Sequence, residues 1–499
     1  MSMKSKGTWG GIVVLGLAVA TFVAAERRLD ADEDLYKQLK PLMESMAIIQ
    51  NNYVDEDKVT SKKLVEGAIK GMMQLDPFIQ YMDVQESSDM KNDTEGSFGG
   101  LGIEISMKAK VLTVVSPIED TPADKAGIKP GDAILKINGE ATENVELMDA
   151  VHKMRGEPGT KVTITVWRDG FTQPKDISIT RAIIKIRSVK SNMLDGKVGY
   201  IRLSSFMGKS SEDFATALDA LEGQGAESLI IDVRNNPGGL LNAAAEIAGH
   251  FVPKGKVVVS TAGRYKDKDM RLDSDGDGHW DKPTVIMING GSASASEILA
   301  GALQDYGLAV VVGTRSFGKG SVQTILPLSD GSALRLTTAK YLTPKGRSLH
   351  GQGIDPDLVS EEAPYGKAVL DLIDADSFAL FWKDYLVEHP GFTFKDDKPR
   401  QAVKVSESSW QALKPESKED RVLKDFADWL DKRNKPLSPD VLMQERGHVL
   451  SKLEEELARR TGGEDAAREA ALNNDPQVKA ALGVLKVAQV YQATAAKAR

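Results

Sequence analysis

Three stretches of the chain place reactive side chains where a strand runs through a glycine turn into the next element. In Asn289-Gly290-Gly291-Ser292-Ala293-Ser294-Ala295-Ser296-Glu297 an apolar run ends in a sharp turn and a helix begins. A serine at that junction lies beside unpaired backbone N–H groups and the positive end of the helix dipole, which favour a nucleophile and its oxyanion. The same letters also read as a plain helix start, because Ser294 followed by Glu297 three positions later fits a capping box. In Thr314-Arg315-Ser316-Phe317-Gly318-Lys319-Gly320 a lysine stands between two glycines. Removed from water, such a lysine gives up its proton more readily and can serve as a general base. A solvent-facing turn lysine is the plainer alternative. In Asp232-Val233-Arg234-Asn235-Asn236-Pro237-Gly238-Gly239 the turn offers backbone N–H groups to an anion, or is simply a strand–helix turn.

Composition narrows the chemistry. The 499 residues include no cysteine, which excludes a thiol nucleophile, thiolate metal sites and a disulfide scaffold. None of the 6 histidines falls in a recognisable triad motif, and no G-x-S-x-G elbow surrounds Ser294. The net charge of -8 leaves no bulk basic footprint for nucleic acid. Gly313 to Lys319 meets the spacing of a phosphate-binding loop, but Gly320 stands where the magnesium-binding hydroxyl is required. Asp273, Asp275 and Asp277 imitate the start of a calcium loop, yet Thr284 replaces the closing glutamate, so an exposed acidic turn is the preferred reading over weak calcium binding.

The elements that must position these residues follow from periodicity. Lys4 and Lys6 precede an apolar run from Trp9 to Ala25 that reads as an export leader, cleaved or retained as an anchor. Leu35, Leu39, Leu42, Met43 and Met46 recur at helical spacing, as a small cap or a face for a partner subunit. From Phe98 to Lys185 short β runs alternate with glycine turns, as at Val111–Val115, Ala133–Ile137 and Lys161–Trp167. From Lys197 to Val359 strands and helices alternate, which predicts a mixed or parallel sheet with crossover helices. Beyond Pro364 the chain is charged and helical, broken at Asn473-Asn474-Asp475-Pro476.

Taken together, the three turn motifs resemble the carboxy-terminal processing peptidases, the tail-specific serine proteases of peptidase family S41. The resemblance implies Ser294 as nucleophile, Lys319 as general base and Gln323 as the residue that orients the lysine. It implies an oxyanion hole from the backbone N–H groups of Gly239 and Ala295. The β region resembles an inserted PDZ module, in which Leu101-Gly102-Ile103 would clasp a terminal carboxylate while the peptide pairs with a strand edge. Arg168 lies where related proteases carry an arginine that gates the active site, although an ordinary solvated arginine is the simpler reading.

The expected fold is a multidomain α/β chain with a ClpP/crotonase-like mixed-sheet protease core, a PDZ β-barrel-like module, N-terminal helices and a helical C-terminal extension. The expected divisions are a leader at 1–25, a helical region at 26–95, the PDZ domain at 96–185, the protease core at 186–360 and the extension at 361–499. The expected activity is that of an exported serine endopeptidase in a bacterial periplasm or at the outer face of the inner membrane, needing no cofactor. Its partners would be protein or peptide substrates with apolar C-termini, a second copy bound through the terminal helices and an adaptor protein. The N-terminal segment would provide any membrane association. The competing expectation is a non-catalytic PDZ scaffold that binds peptides.

Overall fold

The computed structural model describes residues 33–497, apart from 77, 85, 88–89, 91–96, 109, 119–120, 130, 169–170, 186, 362–364 and 395–416. The expected leader therefore lies outside the described residues. The chain forms two compact units. One contains the described residues up to Asp83 together with Ile325–Leu336, and the other contains Val84–Thr324 and Thr337 onward.

In the first unit, helices Glu33–Asn52 and Ser61–Met72 precede strand Gln80–Met82, which pairs antiparallel with residues 333–335. Thr60 caps the second helix by accepting the Lys63 N–H. Leu39, Leu42 and Met43 are exposed.

The second unit contains the six-stranded core sheet. Its strands run in the order Val189–Leu194, Val198–Leu203, Ser228–Asp232, Thr284–Ile288, Val310–Gly313 and Leu358–Val359. The first pair is antiparallel and the other four are parallel. Strands Ser228–Asp232 and Thr284–Ile288 are buried along their whole length, which is why both read as unbroken apolar runs. Leu229 and Ile231 face helices Ser210–Gly223, Leu241–Gly249 and Ala295–Tyr306 in one apolar core. Ile230, between them, points to the opposite face, as the two-residue period requires. Asp232 pairs with Met287 and Ile288 with Gly313, so the turns after these three strands lie side by side at the carboxyl edge. Open sheets with crossover helices bind their ligands at that edge.

Between the first unit and the core sheet in sequence lies a β module. Its sheet runs Ile103–Lys108, Val111–Pro117, Ala133–Ile137, Lys161–Trp167 and Lys175–Thr180, with Glu140–Ala141 beside the third strand. Helix Leu147–Met154 covers it, and Leu112, Val114, Ile134, Ile137, Val162 and Ile164 fill its own core. Strand Ile103–Lys108 ends the strand order and keeps one edge open.

The helical extension is not a loose tail. Helices Lys367–Asp374, Ser377–Glu388, Lys418–Lys432 and Pro439–Gln444 pack with the first half of Arg446–Asn474 around Phe378, Phe381, Trp382, Phe426 and Leu453. Gly463 (φ 80°) kinks the long helix. The last helix, Pro476–Lys497, starts directly after the expected break and returns to the core sheet. There Leu472, Val478, Ala481 and Leu485 cover Tyr200, Ile230, Val285, Met287 and Val312 on the face that the other helices leave open.

Two expectations need correction. Strand–helix alternation specifies a parallel sheet with crossovers but not one topology, and a core sheet sealed on one face by residues beyond 470 does not support the ClpP/crotonase-like assignment. Among the described residues no helix is long and apolar enough to cross a membrane, so the expected membrane association is not carried forward.

Leu485 is 1% exposed against the sheet. Leu485→Ala should cost about 2–5 kcal/mol of stability, as methyl deletion in a packed core does, and urea unfolding checks it.

Candidate active site

The three turn motifs meet at the carboxyl edge of the sheet. Ser292 and Ser296 are both fully buried, and each fastens the turn to its neighbour: Ser292 Oγ donates to the Val233 carbonyl (2.8 Å) and Ser296 Oγ to the Asn236 carbonyl (2.9 Å). Ser294, between them, is only half-buried and adopts φ 55°, ψ -114°. A non-glycine residue held there is strained, and such strain persists where the surroundings over-determine it. Here the capping box of Ser294 and Glu297 is present, and the Ala293 N–H donates to the Asn236 carbonyl at 3.0 Å.

The turn expected to bind an anion is built on Asn236, which is fully buried. Its Nδ2 donates to the Leu203 carbonyl (2.8 Å) and its Oδ1 accepts the Gly238 N–H (2.9 Å). Gly238 (φ 101°) lies so close to the serine turn that a side chain there would start 2.8 Å from Ser294 Cβ and 2.9 Å from the Ala295 nitrogen. Gly239 (φ 138°) crosses the Phe206 carbonyl, where any Cβ would collide. Only glycine can bring this backbone against the serine turn. The structure thus brings Gly238, the residue before the expected donor Gly239, against the backbone of Ser294 and Ala295.

Glu297 joins the serine turn to the lysine turn. It is 0% exposed and accepts four hydrogen bonds: Ser316 Oγ (2.6 Å) and Gly318 N–H (2.7 Å) on Oε1, and Ser294 N–H (2.8 Å) and Lys319 N–H (2.9 Å) on Oε2. One carboxylate oxygen therefore holds the backbones of both Ser294 and Lys319. Burial pushes the Glu297 pKa above the usual carboxylate range, while these donors pull against the rise. Lys319 is half-buried. Gln323, on strand Ser321–Pro327, donates through Nε2 to Thr337 Oγ1 (2.7 Å) and Ser321 Oγ (3.3 Å). Its Oε1 is buried and takes no hydrogen bond among the described residues, leaving an acceptor.

Other expected residues lie apart. Leu101 is buried in the β module, and the Gly102 carbonyl accepts from the Ile118 N–H (2.8 Å), which fixes the loop just ahead of the open-edged strand that starts at Ile103. Arg168 grips the fully buried Asp132 through Nε (2.5 Å) and Nη2 (2.7 Å) and also donates to the Gly127 carbonyl, so its charge is engaged inside the β module. Asp273 pairs with Arg271 and Asp277 with His279, while Asp275 joins neither pair. Among the described residues no group of three or more His, Asp or Glu could hold a metal.

Sequence reasoning missed Glu297 as a link, because it saw only the local capping box. The donors at Ser316, Gly318 and Lys319 come from about twenty positions later, and no spacing rule announces them. It also missed Asn236, whose side chain holds two backbone groups, and Ser316, whose hydroxyl donates to Glu297.

Comparison with known proteins gives consistent matches. The profile of Peptidase family S41 matches residues 197–360, that of the PDZ domain residues 99–179, and that of the activating protease CtpB N-terminal domain residues 3–86. The carboxy-terminal-processing protease of Bartonella bacilliformis is 46% identical over 337 residues, covering 66% of this chain and 77% of that protein. The carboxy-terminal processing protease CtpB of Bacillus subtilis is 39% identical, covering 74% and 77%. Among solved structures, the photosystem II D1 C-terminal processing protease is 29% identical, with a TM-score of 0.39, covering 64% of this chain and 92% of that one. The match over 197–360 corrects the core assignment: the fold is that of a multidomain α/β S41 protease with a PDZ module, not a ClpP/crotonase-like core.

Glu297→Gln should lower both stability and turnover. The amide leaves at least one N–H donor without an acceptor, at about 1–3 kcal/mol for each buried group. We expect a lower melting temperature and at least a tenfold loss in kcat. In the parent protein the raised Glu297 pKa should place an acid limb of kcat above the ordinary glutamate range, because protonation turns an acceptor into a donor. That limb should be missing from the pH profile of Glu297→Gln.

Proposed function

The chain belongs to peptidase family S41 as a carboxy-terminal processing peptidase with an inserted PDZ domain, and on that premise we propose how its residues perform the reaction. The protein is an exported serine endopeptidase that acts near protein C-termini, with the PDZ domain recognising substrate. Its compartment is proposed to be the bacterial periplasm.

Ser294 Oγ attacks the scissile carbonyl carbon while neutral Lys319 takes the hydroxyl proton. The carbonyl π electrons move to oxygen, and the N–H groups of Gly239 and Ala295 stabilise the resulting oxyanion. When the tetrahedral intermediate collapses, the C–N bond breaks and Lys319 gives its proton to the leaving amine. Water then repeats the sequence on the acyl-enzyme: Lys319 accepts a proton from it, and Ser294 leaves as the free hydroxyl. Gln323 Oε1, which takes no hydrogen bond among the described residues while Nε2 is committed to Thr337, would accept from the Lys319 ammonium and orient it. The observation that carries this reading is the shared Glu297 carboxylate, which holds the Ser294 and Lys319 backbones on one oxygen.

The PDZ domain would bind the substrate's terminal carboxylate at Leu101-Gly102-Ile103. The peptide would add as a strand beside Ile103–Lys108, whose outer edge is open.

Ser294→Ala and Lys319→Ala should each abolish cleavage of an unfolded protein with an apolar C-terminus and leave the melting temperature nearly unchanged. Gel-based cleavage and mass spectrometry of the products test this, and wild-type turnover in either variant overturns the Ser/Lys assignment.

A further inference from the structure

The C-terminal extension reaches the oxyanion turn through a buried polar joint. Arg234 begins that turn and its side chain is 11% exposed. Its Nε and Nη2 hold Asp232 (3.0 and 2.7 Å), its Nη2 also meets Asp475 Oδ2 (2.7 Å), and its Nη1 donates to Gln477 Oε1 (2.7 Å). Asp232 is also paired with Arg202 (3.1 Å) and accepts from the Tyr200 hydroxyl (2.7 Å). Two cations thus meet two carboxylates, and the joint is neutral only with Asp475 in place. Burial opposes the charge on Arg234, but Asp232 and Asp475 more than offset it and keep the guanidinium protonated.

Asp475 and Gln477 are built into both sides of this joint. Asp475 Oδ1 caps the last helix by accepting the N–H groups of Gln477 (2.8 Å) and Val478 (3.1 Å), while Oδ2 is left for Arg234. Gln477 is 1% exposed, and its Nε2 donates to the Ser360 carbonyl at 2.6 Å. It also lines a cavity of about 480 Å³ with Asn289, Gly290 and Gly291, the start of the serine turn. Beyond Arg234 the backbone enters the left-handed region at Asn235 (φ 52°), whose N–H is held by Asn289 Oδ1 (2.8 Å). The direction Arg234 takes therefore feeds straight into Asn236, Gly238 and Gly239.

We propose that Asp475 and Gln477 are positioning residues for catalysis: by fixing Arg234 they hold the Gly239 N–H where the oxyanion forms. This rests on the reading of Gly239 as an oxyanion donor. Apolar contacts of Val478, Ala481 and Leu485 already seat the helix, and a buried ion pair adds little net stability over an apolar pair in its place, so stability alone does not account for the joint.

The test uses the full chain and compares wild type with Asp475→Asn, Gln477→Leu, Gln489→Ala and Ser294→Ala. Asparagine still caps the helix but removes the charge opposite Arg234. Gln489 holds the same helix at a distant point, on Ser228 Oγ (3.2 Å), and serves as the docking control. We expect Asp475→Asn to lower kcat about tenfold or more with KM within twofold. Labelling of Ser294 by a fluorophosphonate should slow in the same ratio, and Asp475→Asn should remain folded at the assay temperature by circular dichroism although its melting temperature falls, because Arg234 loses a charge partner. Gln477→Leu should follow it, and Gln489→Ala should keep wild-type turnover. Wild-type kcat in both Asp475→Asn and Gln477→Leu overturns the inference, as does a loss that merely tracks unfolding and appears equally in Gln489→Ala. If Asp475→Asn does not fold, Gln477→Leu decides by the same readouts. Activity retained by Ser294→Ala instead overturns the underlying site assignment, whatever the other variants do.

Discussion

A buried carboxylate must be surrounded by donors or lose its charge, and Glu297 meets that demand with groups from two separate turns. The serine turn supplies one N–H, and the lysine turn supplies two N–H groups and a hydroxyl. Neither turn can move without leaving a charged oxygen short of a partner inside the protein. The lysine turn is also tied elsewhere: Ser316 Oγ accepts the Ile354 N–H (2.7 Å), and the Phe317 N–H donates to the Ser292 carbonyl (3.0 Å). A network in which each member is satisfied is stiff, and a site that must align two side chains gains from that stiffness.

The turn proposed to hold the oxyanion uses a different device. It has few side chains to contribute, so its shape comes from backbone conformations that only glycine adopts freely and from one buried asparagine that ties Gly238 to the end of the neighbouring strand at Leu203. The strain at Ser294 belongs to the same arrangement, because the contacts at Ser292, Ala293, Ser296 and Glu297 leave its backbone no relaxed alternative.

Much of this was legible in the sequence because the signals are local. Strands such as Thr284–Ile288, the glycine turns and the helix start at Ser294 are each specified within about ten residues, and Asn473-Asn474-Asp475-Pro476 marks the final helix start correctly. Long-range partnerships were not legible. Glu297 reads as a cap because its distant donors leave no trace in spacing. The charged extension reads as a tail, since the alternation that buries Leu472, Val478, Ala481 and Leu485 does not say on what. Arg168 fits a position that gates related proteases, yet Asp132, thirty-six residues earlier, holds it inside the PDZ module. The core was named too narrowly for a related reason: strand–helix alternation is shared by many topologies.

The helix that seals the second face of the core sheet also sets an order of events in time. A chain made and moved N-terminus first presents strands 198–203, 228–232, 284–288 and 310–313 long before residues 476–497 arrive. Until then the sheet shows bare Ile230, Val285, Met287 and Val312 to water, and Arg234 lacks two of its partners. The sheet that carries the serine is thus finished by a segment made well after its own strands, so a chain made only as far as the sheet lacks the packing behind its second face.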